Sequence, residues 1–514
     1  MVSVTVEDGL EIVGDNHRYQ FILAILLFLI GVISDIPFHS VPIMETNPIV
    51  YFESNNQNFT EILNYTICKN YNFTINTTIS KKTWVSDYNI SCDKFYVSSI
   101  GFFALFGGLI GTIALHFLKE KPRKWPFILM GILICISSIL LIRRNIFLLL
   151  TYNIICCMAG VMIYVWRINT ISDISSKTSR SYHINFQLSS SSFCLIILFF
   201  LFNNDVNWLF IFFGTSIILL ILLFFFHRVY IENPRFYYLK GDKDRMLDSL
   251  LRIGRFNKFH NDPLFMNKLN TFIRYLKFGD SSKYDPAINH PPGDNIIIKE
   301  NSIVDVYTSE NVAVNTQLNT EEIIEISKKQ KWIFSIYSKN FIYFNFLIAA
   351  PLCSFLAFIY NFEIKKLSYD MNMKIYVFSF LSIIMLFLLS PFMNLIGRKL
   401  SKLITLMAFL VILLLLKFYN GYFSESYMYL INRMIIHIVN QIDHTHLNES
   451  FPTKKRLLVF NLTHLISKFL LLSAPLIYEY LENSRLLIEF TIIFILIICY
   501  LFQQETANKK LEDH

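Results

Sequence analysis

The sequence predicts an all-α membrane protein: twelve transmembrane helices in two six-helix halves. Three observations predict it. Hydrophobic residues make up 54% of the 514 residues and charged residues 16%, against about 45–50% apolar and about 25% charged in soluble domains. Apolar windows long enough for a helix to cross the hydrocarbon core recur at 20–42, 96–118, 125–142, 146–166, 183–202, 208–227, 340–360, 375–393, 402–419, 427–447, 457–479 and 485–502. A long polar stretch, 228–339, divides them six and six. The windows are continuous runs rather than short alternating segments, which excludes a β-barrel. Secreted, disordered and collagen-like classes are excluded by the composition.

Residues 1–18 lack a basic n-region and a small-residue cleavage site, so the first span reads as an uncleaved anchor behind a cytoplasmic N-terminus, 1–19. The first half covers 20–227. Basic residues set its orientation and that of the second half, 340–502. Lys119, Lys121, Arg123 and Lys124 follow span two; Arg398, Lys399 and Lys402 follow span eight; Lys454, Lys455 and Arg456 follow span ten. All fall on one side if both termini, including 503–514, are cytoplasmic. Arg143–Arg144 and Lys365–Lys366 run against this bias. The formal net charge of +8 therefore belongs to membrane-flanking loops and does not call for an acidic partner.

The loop 43–95 falls on the opposite side. It carries Asn-x-Ser/Thr sequons at Asn58, Asn64, Asn72, Asn76 and Asn89, a density expected of a glycosylated outer surface; an Asn-rich low-complexity loop is the plainer alternative. Cys68 and Cys92 are its only cysteines, and an oxidising compartment would join them. The central stretch 228–339 begins basic, with Met246, Leu247, Leu250 and Leu251 spaced for a short amphipathic helix. From 284 it turns acidic and Asn/Pro-rich, reading as linker.

Ionisable groups inside spans carry the functional signal, because each costs several kcal/mol in lipid and tends to face a cavity. In span ten, Arg433, His437, Asn440, Gln441 and His444 share one helical face. They line a polar cavity or bond between helices. Span eleven places His464 and Lys468 one turn apart. Lys468 awaits an anion or pairs with Asp443 or Asp35; Asp35 lies near enough to the outer end of span one to be solvated. His444 and His446 are two apart, which points them away from each other and argues against a shared metal. No GxxxxGK followed by Ser or Thr supports ATP-driven pumping. Neither GxSxG nor HExxH supports a hydrolase, and the spread of charge does not suit a nucleic acid. No cofactor is expected, and the protein does not read as an enzyme.

Five stretches resemble the organic cation/anion transporter family of the major facilitator superfamily. ENPRFYYLKGDKDRMLDSLLRIGRFN (Glu232, Pro234, Arg235, Lys240, Gly241, Asn257) is similar to that family's ESPRW…KG…IAK.N segment. VGDNHRYQ before span one resembles VGEFGRYQ. ESFPTKKR (Glu449, Pro452, Thr453, Arg456) follows span ten, IGRK (Gly397, Arg398) follows span eight, and Asp173 and Arg180 keep a seven-residue spacing in span four. Sugar porters share the first segment but differ from FIYFNFLIAAPL in span seven.

The resemblance implies an alternating-access carrier of small organic solutes, a glycoprotein of the plasma membrane. Its partners would be a small organic ion, the lipid bilayer and a coupling ion or counter-substrate, but neither ATP nor nucleic acid. Lys468 falls seven before Pro475, where the family's anion carriers tend to have a basic residue, so the resemblance implies a preference for anions. Arg433 falls at its basic position in span ten; apart from the resemblance, the aromatic side chain of Tyr343 would add a flat apolar contact. Asp173, Arg180, Glu232, Arg235, Gly397, Arg398, Glu449 and Arg456 would form the gate. The departures are at Leu115, His116, Asn394 and Leu395, where the family has charged gating residues. They point to altered gating or to a receptor-like derivative that does not transport; a carrier of cations or zwitterions is the other alternative.

Overall fold

The structure, a computed structural model, describes residues 6–14, 17–54, 57–63, 65–70, 73–75, 82–118, 121–175, 179–259, 267–268, 272, 345–360, 372–418, 425–451, 453–474, 485–503 and 505. Tyr343, Asn64, Asn72, Asn76 and most of the central stretch lie outside these residues.

The first half is built from α2 (Arg18–Met44), α5 (Lys94–Leu118), α6 (Lys124–Ser137, extended by a 3-10 turn Ser138–Ile142), α7 (Ile146–Ile174), α8 (Arg180–Leu188) with α9 (Ser190–Asn203), and α10 (Trp208–Val229). The second half comprises α13 (Asn345–Tyr360), α14 (Asn372–Ile396), α15 (Arg398–Phe418), α16 (Glu425–Ser450), α17 (Thr453–Leu471) and α18 (Arg485–Leu501). Among the described residues, seven of these helical stretches are long and apolar enough to cross a membrane, and α13 and α18 are shorter apolar helices. The others lie on the remaining apolar windows, α16 and α17 with the polar stripe.

Small residues set the closest contact. Gly107 and Gly111, four apart on α5, lie against the α7 backbone: a Cβ on Gly107 would come within 2.3 Å of the Ile154 carbonyl oxygen, and one on Gly111 within 2.5 Å of that of Met158. Spacing of this kind lets two membrane helices touch along their backbones. Buried apolar residues form one large core, mostly from the first half but reaching Phe346, Leu447 and Phe460 of the second, and a separate core mostly from the second half. The halves meet where α5 packs on α17 and α14 packs on α8 and α9. Phe38 of α2 meets Phe358 of α13, ring centroids 5.9 Å apart.

The loop after α2 folds on itself. Strands β1 (Ile49–Ser54), β2 (Gln57–Ile62) and β3 (Phe73–Ile75) make an antiparallel sheet in the order β2-β1-β3. A disulfide joins Cys68, on the short helix α3 (Tyr65–Asn70), to Cys92. Trp84 of α4 (Trp84–Asp87) stacks on Phe212, and Trp208 donates its indole N–H to Asp87 at 2.8 Å. Those contacts dock the loop on the start of α10. Asn58 lies in β2, and Asn89 follows α4 in the left-handed region (φ 55°).

At the opposite end, α1 (Val6–Ile12) packs with α11 (Pro234–Leu239), which leads into α12 (Lys243–Phe256). Met246, Leu247 and Leu250 are buried on α12, as the amphipathic spacing requires. Asn257 ties this end together. Its Oδ1 accepts from the Tyr19 backbone N–H, and its side-chain amide donates to Val13 O, both at 2.9 Å. Tyr19 and Asn257 belong to separate stretches of the family resemblance, far apart in sequence. Here they touch.

Candidate functional site

A cavity of about 160 Å³ lies between the halves. The first half lines it with Asp35 and Phe38 of α2, Gly160 and Tyr164 of α7 and Ser191 of α9; the second with Ser354 and Phe358 of α13 and with the α16 and α17 stripes. His437, Asn440, Gln441, His444, His464 and Lys468 all face it. Arg433 lines a smaller adjoining hollow that shares Phe38, His39 and Phe358.

Lys468 is half-buried, with Nζ 4.9 Å from the centre of the Phe38 ring, and its stem packs against Gly108. No carboxylate among the described residues lies within ion-pair distance of it. Both partners weighed from the sequence are engaged elsewhere. Asp35 accepts from Ser190 at 3.1 Å and lies 3.6 Å from Arg167, whose Nη1 also donates to Ser190 at 2.8 Å. Asp35 is thus buried and paired, not solvated at an outer end. Asp443 faces the other way, into the core of the second half, where it pairs with Lys402 at 2.6 Å and accepts from the Tyr500 hydroxyl.

Lys402 is a second correction. Read as a loop cation that sets orientation, it lies fully buried one turn inside α15, bonded also to His446 Nδ1 at 2.7 Å and Gln503 Oε1 at 2.6 Å. The helix starts at Arg398, earlier than the apolar window, and carries Lys402 inward.

Along the stripe, the Gln441 amide lies 3.2 Å and Ser191 Oγ 3.4 Å from His437 Nε2, while Ser354 donates to Asn440 at 2.9 Å. Gln441 Oε1 and His464 Nε2 are buried with no hydrogen-bond partner among the described residues. Unmet buried polar atoms are costly in a protein interior. Around this cavity they leave bonding capacity for a solute.

The gating candidates gather at the end where the described residues begin, at Val6, and stop, at Glu505 (the terminal end). Arg123 lies 2.8 Å from Asp173, and Arg398 lies 2.8 Å from Glu449. Each arginine stands at the start of a helix whose first N–H groups meet a carboxylate from just beyond the end of that half. Glu232 accepts from the N–H groups of Arg123 and Lys124 at 3.3 and 3.4 Å. Glu505 accepts from those of Arg398 and Lys399 at 2.9 and 3.0 Å. Carboxylates stabilise helix N-termini in this way. Burial lowers the Arg123 pKa, but Asp173, Tyr230 and Glu232 outweigh it and raise the value above the ordinary guanidinium range.

Arg180 donates to the carbonyls of Ser172 and Ser175, and Arg235 is buried near enough to add its charge to the field on Asp173. Gly397 turns between α14 and α15 at φ +101°, with no room for a Cβ beside Glu505. Contacts among the described residues cross between the halves here. Arg456 Nη1 donates to Asp173 Oδ1 at 2.7 Å, Ser181 donates to Asn394 at 3.4 Å, and Thr445 donates to Asn185 at 3.2 Å.

Sequence reasoning missed Arg167, Tyr164 and Glu505. The fourth apolar window stops at Trp166, whereas α7 runs on to Ile174, so Arg167 fell just outside it. Glu505 lies in a short polar tail with no periodicity to mark it.

A Major Facilitator Superfamily pattern matches residues 59–456, most of the chain. The chain belongs to the Major Facilitator Superfamily. Proteins of this superfamily are membrane-embedded multi-pass transporters of small solutes, not enzymes. None of the curated proteins is similar in sequence. Among solved structures, the proton:xylose symporter XylE bound to 6-bromo-6-deoxy-D-glucose is similar in fold, with a TM-score of 0.61 and 12% identity over 96% of this chain and 98% of that one. Partially occluded, inward-open XylE from E. coli gives 0.55 at 11% identity, over 94% and 98%. The human organic anion transporter MFSD10 (TETRAN) gives 0.54 at 10% identity, over 94% and 99%. Identities this low carry the fold alone. The cavity therefore sits where this superfamily's two halves face each other, the place where solutes bind in such folds.

Proposed function

We propose that the protein carries small organic anions across the plasma membrane by alternating access, with Lys468 as charge partner of the solute. One observation carries this reading: Lys468 faces the cavity with no carboxylate among the described residues at ion-pair distance. A fixed cation in a low-dielectric cavity repels cations and binds carboxylate or sulfonate groups through charge-assisted hydrogen bonds. His437, Asn440, Gln441, His444 and His464 supply polar lining, with Arg433 beside the adjoining hollow. The resemblance to the organic cation/anion family supports the same assignment, and a human organic anion transporter shares the fold.

Alternation is assigned to the contacts that close the terminal end, with Arg456 and Asp173 as the latch between the halves. We place that end in the cytoplasm, from the basic loops, and the sequon-bearing loop outside as a glycosylated surface. Asp35 also lines the cavity, which favours one second reading, a zwitterion carrier whose solute bridges Asp35 and Lys468.

An uptake screen in proteoliposomes with a small panel of organic anions, cations and zwitterions tests the proposal. Flux of anions, reversed in preference by Lys468→Asp, is the expected result. Binding without flux would identify a receptor-like derivative instead.

A further inference from the structure

We propose that the stacked imidazoles of His444 and His464 form a proton-binding site that couples proton entry to anion entry. The inference rests on the anion-carrier reading and adds the coupling ion to it. His444 on α16 and His464 on α17 lie with ring centroids 5.1 Å apart and planes 6° from parallel. Phe460 packs on both rings, at 5.6 and 4.5 Å. Tyr164, from the other half, meets both edge-on at 6.0 and 5.8 Å. The pair is thus walled by aromatic rings and open to the cavity. His464 Nε2, buried without a hydrogen-bond partner among the described residues, is a ring nitrogen left for a ligand. Among the described residues no third His, Cys, Asp or Glu joins the pair to make a metal site, which leaves a proton as the simplest ligand for the pair.

Two imidazolium charges at 5.1 Å would repel, so the pair takes one proton and not two. The groups that face it decide when. From α17 comes Lys468, one turn beyond His464; from α16, His437 and, farther along, Arg433; from α2, Asp35 and His39; from α7, Tyr164, Arg167 and Cys157. The α13 lining contributes Ser354 and no charge. Asp35 is held by Arg167 and Ser190, which leaves Lys468 as the dominant unpaired charge.

In the empty cavity that charge disfavours a second cation. An anion on Lys468 cancels it and brings a negative charge beside the imidazoles, so the proton binds more tightly. Linkage makes this reciprocal: a proton on the pair strengthens anion binding by the same factor. One proton from water joins a ring nitrogen, travels with one monoanion, and leaves to water on the far side. No covalent bond is otherwise made or broken, and the cycle is electroneutral.

The test uses the full chain in proteoliposomes with benzenesulfonate as probe, since so strong an acid does not leak across as a neutral species. Under an inward gradient of one pH unit, wild type should accumulate the probe about tenfold at steady state, the limit for one proton per anion. His444→Gln and His464→Gln should settle at equal concentrations inside and out, whatever their rates, because the end point reports coupling and not speed. Wild-type accumulation in both variants overturns the proposal.

A second measurement does not depend on flux. Histidine-selective 15N NMR of the same protein between about pH 5 and 8 should show one protonation shared by the two rings. It should disappear in either variant, and benzenesulfonate should move its midpoint upward. Two rings that stay neutral throughout, with and without the probe, overturn the proposal even if the probe is carried. A probe-sensitive titration without flux supports the proton site and refutes the carrier reading.

Discussion

Arg456, at the start of α17, places Nη1 2.7 Å from the Asp173 carboxylate at the end of α7, and so joins one half of the protein to the other. Arg123 holds the second Asp173 oxygen from within the first half, at 2.8 Å. Asp173 is thus a shared anion between a fixed cation and one that must leave when the halves part.

Removing one member of a buried pair costs about 3–5 kcal/mol because the survivor is left unpaired. Arg456→Gln spares the Arg123 pair and should mainly loosen closure. A cysteine introduced beside the latch should then be labelled faster by a membrane-impermeant maleimide applied from the terminal side. Asp173→Asn strands two arginines and should lower thermal stability as well. Labelling rates equal to wild type in both variants would remove the latch from the mechanism.

Lys468→Asp should abolish anion uptake, by at least the tenfold that about 1.4 kcal/mol of lost binding represents, and should admit cations. Lys468→Arg should keep the anion preference with an altered KM. Uptake assays on the three proteins decide this, and an unchanged preference in Lys468→Asp would exclude the residue from selection.

Lys402 offers a contrast. Lys402→Met leaves Asp443 buried without its cation and should lower the melting temperature markedly. Lys402→Met with Asp443→Leu removes both charges and should recover much of the loss, since apolar replacement of a buried pair is often neutral. Fluorescence-based melting in detergent would show the pattern. A double variant no better than the single one would contradict it.

Two glycines make a paired test of helix packing. Gly107→Ala sets a Cβ against the Ile154 backbone at 2.3 Å and should cost roughly 1–3 kcal/mol, as overpacking does. Gly214→Ala, where a Cβ would meet nothing within 4 Å, should be neutral or mildly stabilising. Equal melting temperatures for the two would argue against the close α5–α7 contact.

Hydrophobic run length made the fold legible, since a bilayer demands it of any spanning helix. The α16 stripe was legible because residues spaced by three and four share a face wherever the helix lies. Depth was not legible. Lys402 reads as a flanking cation until α15 is seen to begin four residues before it, and Arg167 sits past the apolar window but inside the helix. Nor could spacing along the chain reveal the partners of Lys468. That Asp443 turns from the cavity toward Tyr500, and that Asp35 answers to Arg167, depends on which faces of separate helices meet.

The contacts described above between the halves at the terminal end are of two chemical kinds. On the α7–α17 flank the bond is ionic and buried, so opening there means hydrating charge. On the α8 flank, Ser181 with Asn394 and Asn185 with Thr445 are neutral pairs that water can replace bond for bond. Asn394 stands where the resembled family carries an acid, and here it makes the contact without a charge. In the proposed cycle, this flank would exchange its bonds for water while the other would have to break an ion pair. Alternating access on these terms would open that end like a door, with a bolt on one side and a pivot on the other.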